Sequence, residues 1–263
     1  MTKRILIVGN WKMNLSVHES STLLHRLTER IQIRKNVEVV LAPGFVCLQP
    51  LSLQIDYRKF KLAAQNGYYK DEGPYTGEVS FSMLRGLVDY AIVGHSDRRN
   101  KFGEGLEVIG EKVAACIRND ITPILCVGES KQERLDKESN RVIHDQISSA
   151  LVNLTAEDIE RVVIAYEPVW ALSNGLDYAH HEMPKPHIIS DAIKSIRLNI
   201  ERLTSTETAE SIRVLYGGSA SSSTSGGLLA IAGVDGLLVG GASLNYSEFS
   251  IIADTAYKFR QQG

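Results

Sequence analysis

Short runs of β-branched and other apolar residues alternate along the chain with longer stretches in which apolar residues recur every three or four positions. This alternation predicts parallel strands joined by helices, because a parallel strand can rejoin its sheet only through a crossover that covers the sheet. The strand candidates are residues 4–8, 37–42, 61–65, 90–94, 123–127, 162–166, 213–216 and 236–239. The clearest amphipathic stretches are residues 20–31, 107–117, 142–151 and 188–203.

Eight strand candidates favour a closed barrel over an open sheet. The length of 263 residues is close to the roughly 250 that are typical of a (β/α)8 barrel. We therefore expect one α/β domain over residues 1–263, a (β/α)8 barrel. Residues 170–188 contain two prolines and a glycine and are predicted to form the longest loop. The Ser- and Gly-rich run 219–227 lies between strand and helix signals, so it is predicted to be a βα loop and not a linker.

The composition is that of an ordinary soluble protein, with 43% hydrophobic and 23% charged residues. No apolar run approaches the roughly 18 residues needed to span a bilayer, and the start of the chain does not resemble a signal peptide, so we expect a cytoplasmic protein that does not bind membranes. A net charge of -2 gives no reason to expect a nucleic-acid partner. The three cysteines, Cys47, Cys116 and Cys126, are widely spaced, which predicts reduced thiols and no metal site.

Polar and charged side chains follow three of the predicted strands. Lys12 comes after the first strand, His95 after the fourth and Glu167 after the sixth. In a barrel of this kind, the loops at the carboxyl ends of the strands build the active site, so these side chains can converge. A lysine charge, a histidine donor and a desolvated carboxylate are the groups needed to remove a proton beside a carbonyl. Each residue alone is more often part of a solvated ion pair, but the three together favour enolisation chemistry.

Glycine pairs follow the seventh and eighth predicted strands, Gly217 and Gly218 before Ser219, and Gly240 and Gly241. Barrels often bind phosphate through exposed amides at these two loops. A glycine pair alone is as common in tight turns, but its position here favours a phosphorylated substrate.

Seven sequence blocks, in order along nearly the whole chain, match the pattern of one known family. They are Asn-Trp-Lys-Met-Asn (10–14), Ala-Gln-Asn with Tyr-Thr-Gly-Glu (64–66, 75–78), Val-Gly-His-Ser-Asp-Arg-Arg (93–99), Cys-Val-Gly-Glu (126–129), Ala-Tyr-Glu-Pro-Val-Trp (165–170), Tyr-Gly-Gly-Ser (216–219) and residues 235–244. With these blocks the sequence resembles the triosephosphate isomerase family. Chance does not plausibly supply all seven. The resemblance implies an aldose-ketose isomerase of glycolysis and gluconeogenesis that interconverts dihydroxyacetone phosphate and D-glyceraldehyde 3-phosphate through an enediolate, with no cofactor.

The resemblance also implies a role for each residue of the centre. Glu167 is the base that moves the proton, His95 is the neutral electrophile, Lys12 stabilises the enediolate and Asn10 hydrogen-bonds the substrate. This family is itself the standard example of a histidine kept neutral by a helix N terminus. Residues 96–97 are predicted to begin such a helix.

Phosphate contacts are implied for the backbone near Ser173, Ser219, Gly240 and Gly241, under a loop that starts at Pro168 and closes over the ligand. Three further residues are assigned supporting positions by the same resemblance: Asp97, Cys126 and Glu129.

A homodimer is implied as well. In this interpretation the loop around Tyr75 and Thr76 inserts into the partner subunit, and Glu78 and Arg99 pair to support that loop. The plainer alternative is that residues 76–78 form a turn entering a helix, where a glutamate suits the helix dipole.

Two departures from the family pattern leave the substrate open. Residues 172–178 read Leu-Ser-Asn-Gly-Leu-Asp-Tyr where most members have Ile-Gly-Thr-Gly-Lys, and Asp97 stands where a glutamate is usual. A longer loop could admit a larger substrate, so a paralogous isomerase of a four-carbon sugar phosphate, tetrulose 4-phosphate, is an alternative. A non-catalytic barrel that binds phosphate ligands is a third hypothesis, which the presence of Lys12, His95 and Glu167 disfavours.

Overall fold

Eight parallel strands close into a barrel in the computed structural model of the chain, which describes residues 3–172 and 183–261. Each strand pairs with the next in sequence, and the first strand pairs with the eighth to close the barrel. The strands are β1 (Ile5–Asn10), β2 (Val37–Ala42), β3 (Phe60–Ala64), β4 (Tyr90–Val93), β5 (Thr122–Val127), β6 (Val163–Tyr166), β7 (Val214–Gly218) and β8 (Gly236–Val239). The predicted (β/α)8 fold is confirmed.

The strands are buried on both faces, which explains why they read as continuous apolar runs. On β1, Leu6 and Val8 belong to the cluster that fills the barrel interior, whereas Ile5 and Ile7 belong to the layer between strands and helices. The core therefore has two parts, and the inner one is formed mainly by aliphatic side chains from all eight strands, together with Cys126 and Tyr90.

Helices cover the outside of the barrel. The four amphipathic stretches predicted from sequence correspond to the helices Val17–Arg30, Leu106–Arg118, Ser139–Leu151 and Pro186–Leu203. Capping boxes start the helices Val17–Arg30 (Ser16 with Glu19) and Lys131–Leu135 (Ser130 with Glu133). The helices are α1 (Val17–Arg30), α2 (Phe45–Ser52), α3 (Phe81–Leu84), α4 (Ser96–Phe102), α5 (Leu106–Arg118), α6 (Lys131–Leu135), α7 (Ser139–Leu151), α8 (Ala156–Glu160), α9 (Pro186–Leu203), α10 (Thr206–Ser211), α11 (Ser225–Leu229) and α12 (Tyr246–Gln261).

Two strands extend further than their apolar runs indicate. The prediction ended the first strand at Val8, but β1 continues to Asn10, and β7 continues to Gly218 where Tyr216 was expected to be last. These extra residues pair with the neighbouring strands, so they are held by the sheet although they are polar or lack a side chain. The ends of β1 and β7 thus hold site residues on rigid backbone.

The predicted long loop is only partly described. A single 3-10 turn covers Val169–Ala171, and α9 begins at Pro186, a favoured first position for proline. Residues 173–182 lie outside the described residues. Within residues 3–172 and 183–261, no helix is both long and apolar enough to cross a bilayer.

Candidate active site

A cavity of about 840 Å3 opens at the carboxyl ends of the strands. It brings together residues from the loops after β1, β4, β6, β7 and β8, as the sequence predicts. The predicted site residues that line it are Asn10, Lys12, His95, Glu167, Ser219, Gly240 and Gly241. Ser173, which is also predicted to bind phosphate, lies outside the described residues.

Lys12 has a backbone conformation that is unusual for a side-chain-bearing residue, with a φ of 51° in the left-handed region. Two side chains hold it there. Asn10 Oδ1 accepts a hydrogen bond from the Lys12 N–H at 3.0 Å, and Gln65 Nε2 donates to the Lys12 carbonyl at 2.8 Å. The Lys12 ammonium reaches Asp97 Oδ2 at 2.9 Å. The strained backbone therefore directs a positive charge across the mouth of the barrel towards α4.

His95 is the residue that precedes α4, and its ring caps that helix. The backbone N–H of Asp97 donates to His95 Nδ1 at 3.0 Å. Because an N–H can only donate, the Nδ1 atom that accepts this bond carries no proton, which leaves the ring proton on Nε2. Nε2 faces the cavity side and lies 3.2 Å from Glu167 Oε1. The helix predicted to start at residues 96–97 is confirmed, and it fixes the tautomer of His95.

Glu167 directly follows β6 and is buried, with 3% of its surface exposed. Its backbone N–H donates to the Val127 carbonyl at 2.7 Å, which continues the ladder with β5 for one residue. Its carboxylate accepts a hydrogen bond from the Ser96 N–H at 3.1 Å. The His95 ring lies beside the carboxylate, and among the described residues no lysine or arginine is in direct contact with it. A carboxylate placed in this way can act as a general base.

Another part of the cavity wall contains Gly218 at the end of β7 and Gly240 and Gly241 after β8. Gly241 begins a 3-10 turn, Gly241–Leu244. The first N–H groups of such a turn have no hydrogen-bond acceptor within the turn itself. A Cβ atom built on Gly240 would lie 3.9 Å from Lys12 Cε, which places the lysine chain next to this wall. The Ser219 Oγ atom is buried without a hydrogen-bond partner among the described residues. Free donors beside a lysine suit an anionic group.

The model for the family "Triosephosphate isomerase" matches residues 5–256. This chain belongs to the triosephosphate isomerase family. A triosephosphate isomerase of Clostridium beijerinckii is 36% identical over 253 residues, which cover 96% of this chain and 99% of the relative. That of Clostridium tetani is 37% identical, and the match covers 96% of this chain and 96% of the relative. That of Chloroherpeton thalassium is 38% identical, and the match covers 97% of this chain and 99% of the relative.

Asp97 and Cys126 lie beside the three central residues in this member of the triosephosphate isomerase family. Burial raises the pKa of Asp97, but hydrogen bonds from Lys101 and Lys12 outweigh burial and hold that pKa well below its usual range. Asp97 is therefore a stable anion that orients Lys12. Burial, together with the nearby Glu167, raises the pKa of the Cys126 thiol well above its ordinary value. Cys126 is thus a neutral packing residue and not a nucleophile.

Glu129 is fully buried and anchors the first part of the segment after β6. Its carboxylate accepts hydrogen bonds from Trp170 Nε1 at 2.8 Å and from the Tyr166 hydroxyl at 3.2 Å, and Arg134 lies 3.5 Å away. Burial and the charge of Glu129 raise the pKa of Tyr166, which keeps that hydroxyl a donor. Sequence reasoning named Glu129 but missed both partners, although Tyr166 and Trp170 belong to the same motif as Glu167.

Glu248 is a cavity residue that sequence reasoning missed altogether. It lies in the first turn of α12, and its carboxylate accepts hydrogen bonds from the Ser222 N–H and the Ser222 hydroxyl, both at 3.0 Å. The loop after β7, which includes Ser219, is therefore tied to α12. The Ser-rich composition of this loop was the available signal, since serine side chains in turns need acceptors.

The residues predicted for a subunit interface are Thr76, Glu78 and Arg99. Thr76 and Glu78 are exposed. The Arg99 guanidinium donates to the carbonyls of Gly94 at 2.7 Å and Cys126 at 2.9 Å. Within the described part of a single chain no ion pair joins Glu78 to Arg99, so their pairing stays a prediction that only a second subunit could fulfil.

Proposed function

We propose that this protein interconverts dihydroxyacetone phosphate and D-glyceraldehyde 3-phosphate without a metal or organic cofactor. The observation that carries the proposal is the contact between Glu167 and His95 at 3.2 Å, in a cavity that also contains Lys12. The Glu167 carboxylate removes a proton from the carbon beside the substrate carbonyl and returns it to the neighbouring carbon. The atoms balance, because the base is regenerated and only one proton changes position.

His95 and Lys12 divide the stabilisation of the enediolate between them. The Nε2–H of His95 donates to the substrate oxygens, and a neutral ring does so without a charge that would have to be neutralised later. Lys12 supplies the positive charge for the oxygen that becomes negative. The Asn10 side chain keeps the Lys12 backbone in its left-handed conformation. Asn10 therefore has a structural role in the site in addition to the hydrogen bond that it is proposed to make to the substrate.

The substrate phosphate binds at the wall formed by Ser219, Gly240 and Gly241 in this proposal. Supporting features are the unpartnered Ser219 hydroxyl, the short turn that begins at Gly241 and the neighbouring Lys12 chain. A fourth contact, the amide of Ser173, is proposed from the family resemblance alone.

The test is a comparison of specificity constants for the triose phosphate and tetrulose 4-phosphate. We expect a higher kcat/KM for the triose, measured by coupling product formation to NADH oxidation. A higher value for the tetrulose phosphate would assign the chain to a paralogous isomerase, because contacts at the loop after β6 change transition-state binding without changing the proton-transfer groups. If the carbon-bound proton of the substrate did not exchange with deuterium from the solvent, the result would support the third hypothesis, a non-catalytic barrel that binds phosphate ligands.

A homodimer in the cytoplasm is part of the same proposal. The loop of residues 71–78 is exposed, and Arg118 pairs with Asp71 at 2.9 Å to fix its base. Met13, in the loop after β1, is 98% exposed, as expected of a residue that a second subunit covers. The three buried, unpaired cysteines suit a reducing compartment. Light scattering at micromolar concentration tests the dimer, and a monomeric mass would contradict it.

A further inference from the structure

Gln146 occupies a core position on α7, a helix on the outside of the barrel. The buried residues of this helix are Val142, Ile143, Gln146, Ile147, Ala150 and Leu151. Gln146 is the one polar residue among them and is 9% exposed. An apolar side chain would satisfy the helix packing equally well, and a buried amide is unfavourable unless its polar atoms are hydrogen-bonded. The presence of glutamine here therefore requires a polar partner.

Both polar atoms of the Gln146 amide bond to the same residue, Gly128. The Gly128 N–H donates to Gln146 Oε1 at 2.8 Å, and Gln146 Nε2 donates to the Gly128 carbonyl at 3.1 Å. Gly128 is the first residue after β5. The Gln146 side chain thus satisfies both backbone polar groups of Gly128, as a neighbouring strand would do in a sheet, and fixes the position of this glycine.

Gly128 in turn packs directly against the backbone of Glu167. A Cβ atom on Gly128 would lie 1.8 Å from the Glu167 carbonyl oxygen, so the two backbones leave no space between them. The residues on either side are also joined. The Glu167 N–H donates to Val127 at 2.7 Å, and the Val169 N–H donates to Glu129 at 3.1 Å. Residues 127–129 therefore hold the backbone of Glu167 in position through two hydrogen bonds and one tight packing contact.

We propose that Gln146 is a positioning residue for the isomerase reaction, which acts on Glu167 through Gly128. This inference rests on the proposed function of Glu167 as the base. When either hydrogen bond to Gly128 is lost, Gly128 is free to shift, and because the contact with Glu167 is tight the base shifts with it. A displacement of about 1 Å at a reacting group can lower a rate by roughly 10²-fold. Gly128 is not in contact with the proposed phosphate-binding residues Ser219, Gly240 and Gly241, so KM is expected to change much less than kcat.

The deciding variant is Gln146→Glu, because its side chain has the same shape and its hydrogen bonding depends on pH. When protonated, the carboxyl donates its O–H to the Gly128 carbonyl and accepts from the Gly128 N–H, as glutamine does. When ionised, it cannot donate, and its second oxygen faces the Gly128 carbonyl. Burial raises the pKa of such a carboxyl above the ordinary value of about 4.3, so the change falls within an accessible range.

We expect the kcat ratio of Gln146→Glu to wild type to be near one at the acidic end of a series from pH 5 to pH 9 and to fall at least tenfold towards the alkaline end. KM should stay within about twofold. The matched control is Ile147→Val, which alters the neighbouring buried residue of α7 without changing a hydrogen bond, and its ratio should be flat. Gln146→Leu, which can form neither bond, should show the low ratio at every pH.

A flat ratio for Gln146→Glu, with Gln146→Leu as active per folded molecule as Ile147→Val, would overturn the inference and leave Gln146 a packing residue. Circular dichroism supplies the folded fraction for each variant. Wild type is measured in the same series. Absence of triose turnover by wild type would refute the proposed function, whereas normal wild-type turnover with a flat Gln146→Glu ratio and a Gln146→Leu variant as active as Ile147→Val would refute only the role of Gln146.

Discussion

The ammonium group of Lys12 lies 2.9 Å from Asp97 Oδ2, and this pair joins the loop after β1 to the first turn of α4. The other carboxylate oxygen of Asp97 lies 2.7 Å from Lys101. Asp97 is one methylene shorter than the glutamate that most family members carry, yet it reaches both cations. The departure noticed in the sequence therefore leaves the ion pair intact.

The pKa of Asp97 makes stability depend on pH in a defined direction. Its pKa is lower in the folded state than the value of about 3.9 expected when unfolded, so it stabilises the fold above about pH 4, and this contribution is lost as the pH falls through the lower folded value. We expect wild type to lose more stability between pH 5 and pH 2 than Asp97→Asn. Urea midpoints at several pH values measure this. Parallel pH curves for the two proteins would contradict the prediction.

Trp170→Phe should destabilise the protein by about 1 to 3 kcal/mol beyond the loss of packing, because it deprives the buried Glu129 carboxylate of its shortest hydrogen bond. Trp11→Phe is the matched control, since the Trp11 indole N–H is buried and has no hydrogen-bond partner among the described residues. Urea unfolding of both variants gives the comparison. Equal losses of stability would show that the Glu129 contact contributes little.

Gly217→Ala should lower kcat by tenfold or more while the protein remains folded. An added Cβ would lie 2.8 Å from Glu167 Cγ, and the side chain of Glu167 can give way by turning, which moves the base. In contrast, Gly227→Ala meets no atom within 4 Å on α11 and should stabilise the protein by roughly 0.4 to 1 kcal/mol. Steady-state kinetics and thermal melting test the two variants. An unchanged kcat in Gly217→Ala would mean that Glu167 tolerates the shift.

Glu248→Ala should raise KM several-fold and weaken competitive inhibition by inorganic phosphate. Ser222 then loses both hydrogen bonds to a carboxylate, and bonds to charged groups contribute roughly 1.5 to 3 kcal/mol, so the loop that includes Ser219 loosens. Glu107→Ala removes an exposed acidic residue from the first turn of another helix, α5, and should leave both constants unchanged. Tighter phosphate inhibition in Glu248→Ala would indicate instead that the negative charge of Glu248 repels the ligand.

The fold was predictable because each strand is a short apolar run and each long helix has an apolar stripe, as β8 and α9 illustrate. The convergence of Lys12, His95 and Glu167 followed from the rule that strand ends meet at one face of a barrel. Contacts that depend on three-dimensional packing were not predictable. Neither the amide pair of Gln146 and Gly128 nor the carboxylate of Glu248 on Ser222 leaves a local pattern, since the partners are 18 and 26 residues apart.

Short helices and strand ends were missed for a different reason. The helix α2 has eight residues and contains Pro50, so it is too short and irregular to show a helical period. Gly218 extends β7 through pairing with β8, which a sequence of two glycines does not indicate.

The central claim is that Glu167 moves the proton. The most direct measurement is the turnover of D-glyceraldehyde 3-phosphate in deuterium oxide by wild type and by Glu167→Gln, with deuterium in the product followed by NMR. We expect wild type to incorporate solvent deuterium and Glu167→Gln to lose at least about 10²-fold in kcat, the low end of what a positioned base contributes. A Glu167→Gln variant that keeps wild-type turnover and deuterium incorporation would contradict the account.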